Sequence, residues 1–196
     1  MKKVILCTKN KGKVVEFEEL IKGFKLEIEL VSLFDLNDND EVIEDGASFK
    51  ENSFIKAKYY FDKYHLPTIS DDSGLCIDAL DGRPGINSAR YSGLGPKGNI
   101  AKVLKELEGI TNRNAHFMCD LCYIDESGNN YHFEGRVDGV IGYSEDGNGG
   151  FGYDPIFNVL IDGKYQSMAS IGESEKNKLS HRYHAIKKFA SWMIAK

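Results

Sequence analysis

The chain has 196 residues, 41% of them apolar and 28% charged, a length that suits one domain over residues 1–196 and a balance that excludes a disordered chain. Its 25 Lys and Arg against 30 Asp and Glu leave a net charge of -5, which argues against a nucleic-acid binder with a broad basic footprint but leaves room for a small phosphorylated ligand. No apolar run approaches the roughly 20 residues that span a bilayer and no signal-like segment opens the chain, so a membrane or secreted protein is not expected; four sparse cysteines fit a reducing, cytoplasmic setting.

Residues 3–7 form a β-branched and apolar run that predicts a buried first strand. The loop 8–12 leads into a helix near 13–22, with Val14, Phe17, Leu20 and Ile21 on one stripe and Gly23 placed to stop it. Residues 26–32 alternate as a half-exposed strand does, and an acidic loop follows over 35–46. The next helix spans about 47–64, with Phe54, Ala57, Phe61 and Tyr64 expected on its core face and Ser48, Asn52 and Lys56 on another. Residues 68–70 read as a short strand entering a turn at Asp71-Asp72-Ser73-Gly74, with a further strand over 75–79 and an irregular glycine-rich loop over 82–95. Ile100, Val103, Leu104 and Leu107 mark a short amphipathic helix closed by Gly109. Long antiparallel strands are expected over 114–125 and 131–141, joined across Ser127-Gly128-Asn129. A glycine-rich loop then reaches 151–155, and a last helix runs from Ser174 or Lys178 to Ile194. Strands mixed with helices on this plan predict an α/β domain with a long mixed central β-sheet flanked by helices.

Four places carry possible chemistry. Thr8-Lys9-Asn10-Lys11-Gly12-Lys13 joins a buried strand to a helix N-terminus, where free N–H groups and the helix dipole favour an anion. It is no P-loop, since Cys7 stands at the first glycine position and Val14 follows Gly12-Lys13; by itself it fits a plain strand–helix turn equally well. Asp71 and Asp72 end an apolar strand, where α/β folds place their sites, and carboxylates there suit Mg²⁺; they also suit simple capping of a Ser73-Gly74 turn. Glu41, Glu44 and Asp45 are candidate partners in the acidic loop. Phe151-Gly152-Tyr153-Asp154 joins flat faces to a carboxylate, as stacking on a base requires, or forms an aromatic cluster under a bend. Cys119 and Cys122 lie three apart on one strand and face opposite sides, so packing rather than metal or redox chemistry is expected of them. No Gly-x-Ser-x-Gly elbow occurs.

In register along nearly the whole chain, these segments resemble the inosine triphosphate pyrophosphatase family. The opening Thr8-to-Lys13 loop is similar to the family's T-x-N-x-x-K, and Phe49-Lys50-Glu51-Asn52 with Lys56-Ala57 resembles its F-x-E-N-x-x-x-K-A helix. Ser70-Asp71-Asp72-Ser73-Gly74-Leu75, Arg83-Pro84-Gly85 and Ser88-Ala89-Arg90-Tyr91 follow. The stretch Gly150-Phe151-Gly152-Tyr153-Asp154-Pro155-Ile156-Phe157 and Glu175-Lys176 with Ser180-His181-Arg182 complete the set. Asn87 departs from the aromatic residue the family often carries there.

The resemblance implies a Mg²⁺-dependent enzyme that hydrolyses ITP, dITP and XTP to the monophosphate and pyrophosphate and so cleanses the nucleotide pool. It implies Asp72 as general base and metal ligand, with Glu41 and Glu44 both open as the second ligand, and Ser73 in contact with substrate. Thr8, Lys9, Asn10, Lys11, Gly12, Lys13, Lys56 and Lys176 would cradle the triphosphate; Phe151, Gly152, Tyr153, Asp154, His181 and Arg182 would hold and read the base. Two lobes with a substrate groove between them and a homodimer are also implied. Two other readings remain open at this point: a pyrophosphatase for other triphosphates, and a nucleotide sensor without turnover.

Overall fold

The computed structural model describes residues 1–196. Seven strands form one sheet: β1 (Lys2–Leu6), β2 (Ile28–Ser32), β3 (Thr68–Ile77), β4 (Asn114–Ile124), β5 (Asn130–Ile141), β6 (Phe157–Ile161) and β7 (Lys164–Ser167), in the order β2-β1-β3-β4-β5-β6-β7. The helices are α1 (Lys11–Gly23), α2 (Phe49–Tyr64), α3 (Gly95–Glu106), α4 (Glu173–Leu179) and α5 (His181–Ile194). β1 runs parallel to β2 and β3, with Val4 opposite Leu30 and Ile5 opposite Thr68, whereas β5, β6 and β7 pair antiparallel. The sheet is therefore mixed and flanked by helices, as the alternation of elements predicts.

The chain resolves into two compact units. One comprises Met1–Asp72, Cys119–Gly135 and Arg182–Lys196, the other Ser73–Met118 and Arg136–His181. In the first, Phe17, Leu20 and Ile21 of α1 and Ala185, Ile186 and Phe189 of α5 bury against Val4, Leu6, Ile69 and Leu121. In the second, Ile100 and Val103 of α3 share a core with Leu75, Ile77, Phe117 and Phe157. Each core uses helical residues three and four apart, together with the residues of one sheet face.

Local chemistry explains most boundaries. Asn10 caps α1 by accepting from the Lys13 N–H at 3.2 Å, and Ser48 caps α2 by accepting from Glu51 N–H at 3.1 Å. Gly23 closes α1 as its final residue, but the left-handed residue of that corner is Lys25, at φ 54. The hairpin between β4 and β5 closes with Asp125 N–H donating to Asn129 O at 2.9 Å.

Several expectations need correction. Asp71-Asp72-Ser73-Gly74 is not a turn: β3 passes through it without a break from Thr68 to Ile77. Paired carboxylates imitate a turn signal, but cations within the fold compensate Asp71, and the strand continues. The buried residues of α2 are Asn52, Ser53, Ala57 and Tyr60, while Phe54, Phe61 and Tyr64 are only half-buried. Hydrophobic periodicity cannot see buried polar side chains whose partners come from distant segments. The stretch 82–95 contains a 3₁₀ segment, Gly85–Arg90, and α3 already begins at Gly95. The last helix is two helices, divided where Ser180 adopts an extended φ -64, ψ 153. The β6–β7 hairpin was not anticipated; Asp162 and Gly163, at φ 49 and 79, make the two-residue turn that aspartate–glycine pairs favour. Cys119 and Cys122 are free, buried and in separate apolar clusters, and burial pushes the Cys122 thiol up to about 12.

Candidate active site

The first unit gathers carboxylates and cations around the end of β1 and the middle of β3. Thr8 is buried and its Oγ1 accepts from the Asn10 N–H at 3.1 Å, which shapes the loop leading to the α1 N-terminus. Lys9, Asn10, Lys11 and Gly12 are exposed there, so the dipole end of α1 and two ammonium groups face solvent. Lys13 is turned inward, with Nζ 3.2 Å from Asp71 Oδ2. Lys56 of α2 donates to Asp71 O at 2.8 Å, with its Nζ 3.2 Å from Glu44 Oε1. Burial opposes the Lys56 cation, but Asp71, Glu44 and Asp72 outweigh it and raise its pKa above the ordinary lysine value.

Asp71 and Asp72, adjacent on β3, have opposite environments. Asp71 is fully buried; burial disfavours its charge, yet Lys13, Arg182 and Lys56 hold its pKa well below the usual carboxylate range. Asp72 is half-buried, and burial, with Glu44 adding to it against Lys56, raises its carboxyl to about 6. Its Oδ2 is buried without a hydrogen-bond partner. Two neighbouring carboxylates pushed in opposite directions divide into a fixed structural anion and a group able to exchange a proton near neutral pH.

A cavity of about 280 Å³ in this unit is lined by Cys7, Thr8, Lys9, Glu41, Glu44, Lys56 and Tyr60 among others. The acidic loop thus brings both Glu41 and Glu44 beside the lysines, with Glu44 also coupled to Asp72. No three His, Cys, Asp or Glu side chains form a ready-made metal cluster. Mg²⁺ does not need one, since it commonly takes one or two carboxylates and completes its shell with water and substrate phosphate. Asp72 Oδ2 is a buried acceptor that receives no hydrogen bond, and Glu44 Oε1, also buried, faces the Lys56 ammonium at 3.2 Å. That donor set fits a hard cation.

Sequence reasoning missed an ionic network beneath this surface. Arg182, 2% exposed at the start of α5, donates from Nε to Asp71 Oδ2 at 3.2 Å and pairs through its terminal nitrogen with Glu16 of α1. Arg182 therefore ties α5 to β3 and α1 within this unit. Local spacing gives no signal for this pair, since Glu16 and Arg182 lie 166 residues apart along the chain. Asn52, polar on the sequence pattern, is buried: its Oδ1 accepts from Gly46 N–H at 2.8 Å, and its amide favours the charged form of Asp72.

In the second unit, Asp154 Oδ2 accepts from Phe151 N–H at 2.9 Å and from Lys176 Nζ at 2.6 Å, and that ammonium lies 4.3 Å from the Phe151 ring centre. Phe151 is 46% exposed, leaving ring surface open to a planar ligand. Gly150 and Gly152 both have positive φ, at 69 and 58, and a Cβ on Gly150 would collide with Asp154 Oδ2. Tyr153 is turned away into the core, its hydroxyl donating to Ser88 O at 2.6 Å. His181 stacks on Phe117 at 4.9 Å with 16° between the planes, and Ser73 is half-buried on β3. The structure thus assembles Phe151, Asp154 and Lys176 into one cluster.

A mixed α/β fold that pairs a perturbed carboxylate with half-buried lysines defines a class of protein built to handle anionic ligands. The chain belongs to the Ham1 family, whose model matches residues 4–192. A dITP/XTP pyrophosphatase from Halalkalibacterium halodurans is 46% identical over 199 residues, covering 98% of this chain and 100% of that one. One from Bacillus subtilis is 41% identical, covering 100% and 98%. Among solved structures, a HAM1 protein from Coxiella burnetii matches with a TM-score of 0.89 at 32% identity over 100% of both chains. The family resemblance carried by the sequence motifs is borne out.

Proposed function

We propose that this protein is a Mg²⁺-dependent nucleoside triphosphate pyrophosphatase acting on ITP, dITP and XTP, releasing pyrophosphate and the nucleoside monophosphate and so keeping deaminated purines out of DNA and RNA. The observation that carries the reading is Asp72: a half-buried carboxylate with an unpaired oxygen, raised to about 6, beside Lys56 and Glu44. The names of the relatives, dITP/XTP pyrophosphatases, support the choice of substrate.

Asp72 takes a proton from the attacking water, a role that suits a group whose pKa lies near the working pH. Lys56, Lys13 and the loop formed by Thr8, Lys9, Asn10, Lys11 and Gly12 hold phosphate oxygens and stabilise the charge that develops as pyrophosphate leaves. Asp72 with Glu44 or Glu41 would hold the metal ion, which when bound supplies charge neutralisation on the phosphates. Phe151 stacks on the base, with Gly152, Tyr153 and Asp154 shaping its loop, and Lys176, His181 and Ser73 complete the contacts. Arg182 braces the phosphate side through Asp71. Hypoxanthine and xanthine carry a carbonyl oxygen at purine position six, which accepts from protein donors; adenine's amino group there would leave buried donors facing donors. Mismatches of that kind reach about 10⁴–10⁵ in discrimination. The reading includes a homodimer at work in the cytoplasm.

Pyrophosphate release from ITP, XTP, GTP and ATP, measured in parallel with Mg²⁺, tests it. Strong release from ITP and XTP with little from ATP is expected on the position-six argument; GTP, whose guanine carries the same carbonyl, measures discrimination at the rest of the base. No release from any of the four would overturn the reading.

A further inference from the structure

A buried polar cluster in the first unit takes no part in the chemistry above. Asp120 of β4 is 2% exposed, and its Oδ2 accepts a hydrogen bond from the Ser53 hydroxyl of α2 and lies 2.8 Å from His132 Nδ1 of β5. Ser53 is fully buried, and Asp120 Oδ1 is buried without a partner. These residue types are those of a hydrolytic triad, but the order is wrong for one. The carboxylate stands between hydroxyl and imidazole, so the serine has no base to activate it.

The cluster's position suggests a different use. Beyond Ser53, α2 meets β4 through apolar contacts, with Ala57, Phe54 and Phe61 against Cys122 and Ile124, while its later turns are tied elsewhere, by Thr68 Oγ1 donating to Ala57 O at 3.1 Å and by Lys63 and Tyr64 on Asp38. Apolar burial is non-directional and restrains rotation of a helix weakly. The Ser53 hydroxyl also lies 3.0 Å from Lys50 O of its own helix, but its shorter contact is the directional bond to Asp120 Oδ2, and His132 anchors that same oxygen. Three residues after Ser53, and so on the neighbouring part of the helix surface, comes Lys56. With side chains reaching about 5–6 Å from the helix axis, a rotation of about 10° moves an ammonium group by about 1 Å. Misplacement by about 1 Å is enough to cost about 10²-fold in rate.

We infer that Asp120, anchored by His132, is a positioning residue that sets the rotation of α2 through Ser53 and so places the Lys56 ammonium. The inference rests on the role proposed for Lys56. Ser53→Ala removes one hydroxyl from the cluster while leaving Asp120 its histidine, and so avoids the unfolding that loss of Asp120 risks.

Ser53→Ala is expected to lower kcat for ITP by about 10- to 100-fold, with a melting-temperature change of only about 2–4 °C. In a Lys56→Met background the same substitution should reduce activity less than about 2-fold, because the group it positions is already gone. A Ser53→Ala protein with wild-type kcat and KM, or losses that multiply in the double variant, would overturn the inference. If wild-type protein releases no pyrophosphate from ITP, the functional reading fails on its own. The same cycle read as tripolyphosphate affinity by calorimetry then decides the positioning role: non-additive losses support it, and additive losses or none overturn it.

Discussion

Asp72→Asn should remove turnover and at the same time make the folded protein more stable at neutral pH. The carboxyl is raised from 3.8 to about 6 in the folded chain, with burial as the main cause. About two pKa units at 1.36 kcal/mol each set a ceiling of about 3 kcal/mol. The sign follows from proton counting. Between pH 3.8 and about 6 the folded state binds more protons than the unfolded one, so stability falls as pH rises through that window. Below it the carboxyl is neutral in both states and the penalty is absent; above it the penalty is complete. An amide cannot ionise, so the variant should match the wild type near pH 4 and exceed it above pH 7. At 2–4 °C per kcal/mol for a chain of this size, the gain reaches roughly 6–12 °C. Calorimetric melting of both proteins from pH 4 to pH 8, without divalent metal, measures it. A stability difference independent of pH, or a variant less stable than wild type at pH 8, would refute the assignment of a burial penalty to the Asp72 carboxylate. An Asp72→Asn enzyme with wild-type turnover would remove that residue from the mechanism.

Three further outcomes follow from the same geometry. Chelation with EDTA should stop pyrophosphate release, and added Mg²⁺ should raise the melting temperature of wild type more than that of Asp72→Asn; equal shifts would place the metal elsewhere. Arg182→Met leaves Asp71 and Glu16 as buried acids without their shared cation, and should lower stability in urea by about 3–5 kcal/mol, whereas a loss below about 1 kcal/mol would show that the network contributes little. Phe151→Ala should raise KM for ITP about tenfold, given about 1–3 kcal/mol for stacking on a base, with kcat nearly unchanged; a loss confined to kcat would contradict a role in holding the base.

How legible each part was depended on whether its cause was local. α1 could be read from Val14, Phe17, Leu20 and Ile21, and the β4–β5 hairpin from its alternation and its glycine turn, because both signals lie within one element. β6 and β7 are equally local, two short runs that flank the Asp162-Gly163 turn. β3 is different. Asp71 and Asp72 carry the composition of a turn, and the strand continues because Lys13 and Arg182, 58 and 111 residues away along the chain, compensate Asp71. The same limit hid the polar inner face of α2, where Asn52 and Ser53 are buried only because Gly46 and Asp120 receive them.

The sequence by itself determined the family, the mixed α/β plan and the chemical inventory: a lysine-bearing loop at a helix start, paired acids on a strand, and an aromatic loop closed by an acid. Those features are written in residue types at short spacing. The tertiary structure alone decided the division of labour among them. It made Asp71 a fixed anion and Asp72 a proton-exchanging group, turned Tyr153 into the core while leaving Phe151 open, and committed Arg182 to Glu16 and Asp71. Each of those outcomes depends on burial and on charges brought in from distant segments, and a pKa or a solvent exposure exists only once the chain has folded.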